Sequence, residues 1–492
     1  MGRSIAILKG SDNSTGATAI SRIRRTLAPL ILIAASAASA QSVRFKHVVI
    51  IIQENRTPDN LFGSNPHFEP GVDIVTSGLN SKGETVPLRP LPLANCYDLN
   101  HQHIAFENQY NNGKLDGADK NTTNPSEGCV VPPNPQYHYV DNSKGDVQPY
   151  FDMAKQWGFA NRMFQTNQGP SYAAHLFAFT GTSAPTPDSK LFAANNPKLT
   201  DLSGCLGPPD QTVDLIDEDG DLERNKPIFP CLEHGTMGDL LNAANVSWKY
   251  YAPLAGSLWN APNAIRHVCD PKTENGKPSC TGSDWAAHVV VPSRLVLRDI
   301  ANCNLANVVW INPKGTQSDH PKSNDGSGPA WVTSIVNAIG TQKCPGGEEY
   351  WKDTAIFITW DDWGGWYDHV PPYRIGQDNG WGKAYVYGFR LPLLVISAYT
   401  PAGYVDNSVQ DYGTMLKFVE TNFGPPGRPL GPIPPGIFAD SYVDNNLKNF
   451  FTLTSPRPFE PIRVKFSTHL FVLDSMRWVF EEISNCGTGC WF

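Results

Sequence analysis

The chain has 492 residues, of which 40% are hydrophobic, 17% charged and 11% aromatic, a composition that can fill a large core and that excludes a disordered or fibrous protein. A formal charge of -8, spread without long runs of one sign, leaves no basic face for a polyanion and argues against nucleic acid as a partner. The 42 glycines and 42 prolines imply many structured loops, as in an enzyme scaffold with insertions.

At the N-terminus, Arg22, Arg24 and Arg25 precede the apolar stretch TLAPLILIAASA and the small-residue triplet Ala38-Ser39-Ala40, the layout of a cleaved export signal. The reading is a signal peptide over 1–40 and one catalytic domain with loop insertions over 41–492, secreted or periplasmic. The apolar run falls short of the ~20 residues that span a bilayer. Arg24-Arg25 matches a twin-arginine signal only loosely, and that choice stays open. Ten cysteines, an even number, in an exported chain favour disulfides over thiol chemistry or zinc, with Cys486 and Cys490 closing a small terminal loop.

Four apolar runs bounded by Gly, Pro, Asn or Asp read as strands: HVVIII (47–52), NVVWI (307–311), TAIFIT (354–359) and LPLLVIS (391–397). Continuous rather than alternating apolar character is what strands buried on both faces show. Helices are predicted over 150–163, 236–246, 329–339 and 412–423. Strands alternating with helices give an α/β fold with a largely parallel sheet covered on both sides.

Such sheets carry their chemistry beyond the carboxyl ends of the strands. Glu54 and Asn55 follow the first strand, Asp319 and His320 lie in the loop after the second, and Asp361-Asp362 then Asp368-His369 follow the third. Neighbours in an extended segment point to opposite sides, so both Asp361 and Asp362 can face one ion only where the chain turns sharply. Gly364-Gly365 permits that turn. Taken singly, each carboxylate is a cap or a surface ion pair; taken together, Glu54, Asn55, Asp361 and Asp362 are the oxygen donors that one divalent cation prefers. Without a cation, three carboxylates in one pocket would repel and at least one would be protonated.

A reactive group is supplied by Gly169-Pro170-Ser171, which opens a helix-like apolar run. A serine there stands where free N–H groups and the helix dipole favour negative charge, and a hydroxyl that also touches a cation could attack phosphorus. On its own, Ser171 reads more plainly as a helix cap.

The ordered blocks IIIQENRTPDNLFG, GPSYAAHLFAFTGTS, SDHP, WKDTAIFITWDDWGGWYDHVPP and GFRLPLLVISAYTPAGYV resemble the phosphoesterase family of bacterial and plant phospholipases C and an acid phosphatase, over about 46–424. The resemblance implies a three-layer, alkaline-phosphatase-like α/β/α sandwich and a single divalent metal. It implies metal ligands at Glu54, Asn55, Ser171, Asp361 and Asp362, with Ser171 also the nucleophile. It places His320 and His369 at the phosphate as catalytic residues, with His101 and Asp319 as substrate contacts; His103 competes with His101 for its place. The expected substrate is a phospholipid or a small phosphate ester, with transient contact at a membrane surface. The chain departs from the family pattern at Ala174-His175, where Asn-Arg is common, and at Asp361-Asp362, where Asp-Glu is usual. The Arg change touches substrate inference, and the role of His175 stays open between site and core.

Trp360, Trp363, Trp366, Tyr367 and Trp381 suit an exposed lipase mouth, a core or a sugar-stacking surface. DLIDEDGDLE (214–223) resembles a calcium loop, but aligning Gly220 puts Leu215 and Lys226 at the first and last ligand positions, so it reads as a solvated acidic loop. His234, His267 and His288 lack ligand spacing and read as structural or surface histidines.

Overall fold

Each predicted apolar run becomes a strand whose alternate side chains enter two different cores. The computed structural model describes residues 43–198, 202–375, 380–433, 438–464 and 471; the signal-peptide reading, Arg24-Arg25 and the Cys486–Cys490 loop lie outside them. The strands of the central sheet are β1 (His47–Gln53), β2 (Gly158–Ala160), β3 (Trp248–Tyr251), β4 (Val289–Val290), β5 (Val308–Ile311), β6 (Thr354–Trp360), β7 (Leu393–Ser397) and β8 (Tyr404–Asp406). Their order across the sheet is β4-β3-β5-β1-β6-β7-β2-β8. β7 runs antiparallel to both its neighbours, β6 and β2, and every other pairing is parallel. The sheet is therefore largely parallel, with one reversed strand.

The helices used below are α1 (Pro58–Phe62), α2 (His103–Tyr110), α3 (Gln148–Gln156), α4 (Ser171–Thr180), α5 (Met237–Ala243), α6 (Gly328–Thr341) and α7 (Tyr412–Phe423). Val48, Ile50 and Ile52 of β1 and Phe357 of β6 pack with Phe177 and Phe179 of α4 and Met415 and Val419 of α7. Val49, Ile51, Ile356 and Ile358 pack with Tyr150 and Phe151 of α3 and Trp331 and Ile335 of α6. Helices on both faces of one sheet make the three-layer sandwich expected, and all seven residues of β1 and of β6 are buried. Full burial of each Val or Ile contributes about 1.5–3 kcal/mol, which is why these runs tolerate no alternation.

One predicted helix is cut short. The 150–163 segment is helical only to Gln156, because Trp157 leaves helical backbone and β2 follows. Gly158 lies so close to Phe450 that an added Cβ would approach a ring carbon to 2.5 Å. α5 and α7 begin with capping boxes, Thr236 with Asp239 and Asp411 with Thr414.

Eight cysteines pair as Cys96–Cys129, Cys205–Cys231, Cys269–Cys280 and Cys303–Cys344, in line with the disulfide reading. The acidic 214–223 loop is a hairpin turn in which the Asp217 carboxylate accepts from the Asp219 and Asp221 N–H groups. Among the described residues no helix is long and apolar enough to cross a membrane.

Candidate functional site

β1 and β6 are paired in register to their last residues, Gln53 opposite Trp360. Glu54 and Asn55 therefore leave the carboxyl edge of the sheet beside Asp361 and Asp362. Asn55 turns into the left-handed region at φ 63°, and Gly364 and Gly365 do the same at 62° and 74°. A Cβ on Gly364 would lie 2.6 Å from the Asn55 Cβ, so only glycine lets the two strand ends close on each other. This is the sharp turn the Gly-Gly pair permits. The Asp361 Oδ1 accepts from the Asn55 N–H at 2.9 Å and the Asp362 N–H at 2.7 Å, and the Asp362 Oδ1 accepts from the Gly364 N–H at 2.7 Å.

Ser171 is the first residue of α4, after Pro170 in extended backbone. Its Oγ lies 3.2 Å from the Asp362 Oδ2 and 3.4 Å from the Glu54 Oε2. One turn along the same helix face, the His175 Nε2 lies 3.1 Å from the Glu54 Oε1 and 3.8 Å from the Asp361 Oδ2. Glu54, Asn55, His175, Asp361 and Asp362 are all inaccessible to solvent, and Ser171 is 1% exposed.

Burial, then the charge on Asp361, pushes the Glu54 and Asp362 carboxyls well above the usual carboxylate range. Burial acts on Asp361 in the same direction, but the hydrogen bond from Glu54, the neighbouring His175 and the Ser171 hydroxyl hold it below its ordinary value. The His175 imidazole is pulled down to about 4 by burial. The protein alone thus keeps this cluster tolerable by protonating it. The Asn55 Oδ1 and the Asp361 Oδ2 are buried without a hydrogen-bond partner among the described residues. Orphaned oxygens beside mutually repelling carboxylates are the donor set a divalent cation satisfies. Glu54, Asn55, Ser171, Asp361 and Asp362 fit such an ion.

Above the cluster, the His101 Nδ1 sits 2.7 Å from the Leu99 carbonyl, so that nitrogen carries the proton. The Nε2 then accepts from the Asn55 Nδ2 at 3.2 Å, which turns the Asn55 amide so that its oxygen is the free end. His103 is engaged elsewhere, with its Nδ1 2.8 Å from the Gln168 carbonyl in the loop leading to Ser171. His320 is half-buried, its Nδ1 close to the Pro321 carbonyl, and it groups with Asp98 and His101. Ser171, His101 and His320 line one open cavity of about 1100 Å³.

The sequence profile of the Phosphoesterase family matches residues 45–426. The chain belongs to the phosphoesterase family. Relatives include the hemolytic phospholipase C of Pseudomonas aeruginosa, 24% identical over 426 residues that cover 77% of this chain and 53% of that protein. The chain thus spans about half the length of that relative. Phospholipase C A of Mycobacterium tuberculosis is 24% identical over 431 residues, covering 77% of this chain and 73% of its own length. The non-specific phospholipase C1 of Arabidopsis thaliana is 22% identical over 466 residues, 88% of this chain and 74% of the relative. Among solved structures, a Vibrio parahaemolyticus protein in the alkaline phosphatase superfamily aligns with a TM-score of 0.32 and 12% identity, covering 78% of this chain and 68% of its own.

Not every expected site residue of this phosphoesterase meets the cluster. Both ring nitrogens of His369 are taken up elsewhere, Nδ1 by Asp59 at 2.7 Å and Nε2 by Asp73 at 3.0 Å. Arg390, fully buried, clasps Asp368 through Nε at 2.8 Å and Nη2 at 3.0 Å, and Nη2 also reaches Asp59 at 3.3 Å. His369 belongs to that ion network and is not among the residues that line the cavity with Ser171. Asp319 is likewise buried, its Oδ2 accepting from the Tyr150 hydroxyl at 2.9 Å and the Trp360 Nε1 at 3.0 Å. It faces the second core and fixes the loop, so a substrate contact is replaced by a structural one. Of the three readings open to Trp360, Trp363, Trp366, Tyr367 and Trp381, the core is the one found, since all five are buried. The cavity is instead edged by the exposed Ile104 and Leu254, with Leu258 and Trp259.

His175 and Asp98 are the site residues that sequence reasoning did not assign. For His175 the available signal was its place four residues after Ser171 on one helix face; Asp98, on a short strand, offered none. His234, His267 and His288 are structural, bonded to the Gly235 carbonyl, to Glu233 and Asp239, and to the Trp248 carbonyl.

Proposed function

We propose that this protein is an exported, metal-dependent phosphoric ester hydrolase that cleaves phospholipid phosphodiesters in the manner of a phospholipase C. The observation that carries the reading is the Ser171 hydroxyl at the N-terminus of α4, 3.2 Å and 3.4 Å from two carboxylates of a buried donor set. When bound by Glu54, Asn55, Ser171, Asp361 and Asp362, a divalent cation would supply charge neutralisation and a lowered serine pKa. The phospholipase names of the relatives support a phosphodiester substrate, and the apolar edge at Ile104, Leu254 and Leu258 suits a lipid better than a free sugar phosphate.

In the proposed cycle the Ser171 hydroxyl passes its proton to the Asp362 carboxylate, 3.2 Å away, and the Oγ attacks phosphorus in line. The Oγ–P bond forms, the bond from phosphorus to the alcohol oxygen breaks, and His320 delivers a proton to that oxygen. The N-terminus of α4 faces the phosphoryl oxygens with the first-turn N–H groups other than that of Tyr172, which donates to the Asn196 Oδ1. Water then attacks the phosphoserine, the P–Oγ bond breaks with Oγ recovering its proton from Asp362, and the water proton returns to His320. His101, held by the Leu99 carbonyl and by Asn55, orients the amide and faces the phosphoryl group.

The test is hydrolysis of phosphatidylcholine against p-nitrophenyl phosphate by the mature protein, with and without chelator. Diacylglycerol release that chelator abolishes is the expected result. Preference for the monoester would make the protein a phosphatase, and activity on neither substrate would leave a binding protein on the same scaffold.

A further inference from the structure

The three carboxylates of the cluster are not held alike. The Asp361 carboxylate accepts from two backbone N–H groups, at 2.9 Å and 2.7 Å, and the Asp362 carboxylate from one at 2.7 Å. Glu54 has a longer side chain and, among the described residues, no backbone donor. Its Oε1 meets the His175 Nε2 at 3.1 Å, its Oε2 meets the Ser171 hydroxyl at 3.4 Å, and the carboxyl also shares a hydrogen bond with Asp361. His175 is fully buried within α4, whose ten residues are all buried, so the ring is as rigidly placed as the serine one turn before it.

The proton on that ring can be assigned. With Glu54 ionised, as it would be with a cation bound, a bare Nε2 lone pair 3.1 Å from its oxygen would be repelled, whereas an Nε2–H donates to it. The Nδ1 has no hydrogen-bond partner among the described residues, so it is the unprotonated nitrogen. With its proton on Nε2, the imidazole presents a donor to Glu54 and no free lone pair to a cation on that side.

We propose that His175 is a positioning residue: its Nε2–H fixes the Glu54 carboxylate so that the other oxygen faces Ser171 and the cation. This rests on the cation site proposed above. Partners that orient a ligand in this way typically matter by 10–100-fold in metal affinity. A neutral donor at position 175 orients Glu54 without adding a positive charge beside the ion.

The test compares Mn²⁺ binding by calorimetry for the mature chain, H175Q and H175M. Glutamine and methionine have similar length and volume, but only glutamine carries a side-chain N–H. The expected result is an affinity for H175M lower by about 10–100-fold, with H175Q close to the starting protein. At limiting Mn²⁺ the kcat of H175M falls, and saturating Mn²⁺ restores it with KM for substrate unchanged. Equal affinities in all three proteins would overturn the proposal, as would equal losses in both variants, which would mean that packing alone is at stake. Pulsed EPR of the Mn²⁺-loaded unmutated protein gives an answer that needs no variant to fold. No directly bound histidine nitrogen supports positioning, and a strong ¹⁴N coupling overturns it in favour of ligation. If the unmutated chain takes up no Mn²⁺, the cation site itself falls, an outcome distinct from a His175 that merely does not matter.

Discussion

Two clusters of carboxylates and imidazole lie beyond the ends of β1 and β6, and they are neutralised in opposite ways. In the first, Asp59, Asp73 and Asp368 meet Arg390 and His369, so positive side chains answer the negative ones. In the second, Glu54, Asp361 and Asp362 form their ion pairs, among the described residues, only with His175 and His101. Burial leaves that His175 imidazole neutral near pH 7. A cluster that carries its own cation is a structural clasp. One that lacks a cation is either protonated or waiting for an ion, and the difference separates framework from site.

The sharpest way to test the contrast is through the proposed nucleophile. Ser171→Ala is expected to lower turnover by about 10⁴-fold or more while the melting temperature holds, as measured by product release and calorimetry. Turnover near that of the unmutated protein would remove Ser171 from the mechanism. Next, Arg390→Met strips the clasp of its cation and leaves Asp59 and Asp368 buried and uncompensated. A loss of about 3–5 kcal/mol in denaturant unfolding is expected, with no dependence on chelator. Asp362→Asn should do the reverse in the other cluster. It removes a carboxyl that burial and Asp361 already push toward protonation, so the chelated protein becomes more stable even as cation-dependent stabilisation disappears. A destabilised chelated D362N protein would contradict the unbalanced-charge account.

The smallest effect is in pH. Burial lowers the affinity of His369 for its proton, but the hydrogen bond and charge of Asp59, then Asp368, outweigh it and raise the imidazole above its ordinary value. A histidine raised in the folded state contributes stability that is complete below its unfolded value of about 6.5 and is lost as pH climbs through the raised one. The melting temperature should therefore decline across that window, and His369→Gln should flatten that part of the curve.

Much of this was legible because strand ends are local. Gln53 and Trp360 are register partners, so residues written next to each apolar run had to emerge together, and Gly364-Gly365 announced the turn between them. What was not legible depended on long-range partners. His369 stands in a motif beside Asp368, but Asp59, Asp73 and Arg390, from distant parts of the chain, decide its role. Asp319 sits next to His320 in sequence, yet the Tyr150 hydroxyl and the Trp360 indole draw it into the core. The tryptophans after β6 stayed open between a mouth, a core and a stacking surface because nothing local says which apolar residues a neighbouring loop will cover. Short strands such as β2 escaped because three residues carry no periodicity.

In the proposed site Glu54, Asp361 and Asp362 hold an ion that the chain does not itself supply. The most direct measurement is calorimetric titration of a divalent cation into chelator-stripped mature protein and into the Asp362→Asn variant. The account predicts one high-affinity ion per chain, with a matching rise in melting temperature, and the loss of both in the variant. Absence of binding in the unmutated protein, or undiminished binding after Asp362→Asn, would contradict it.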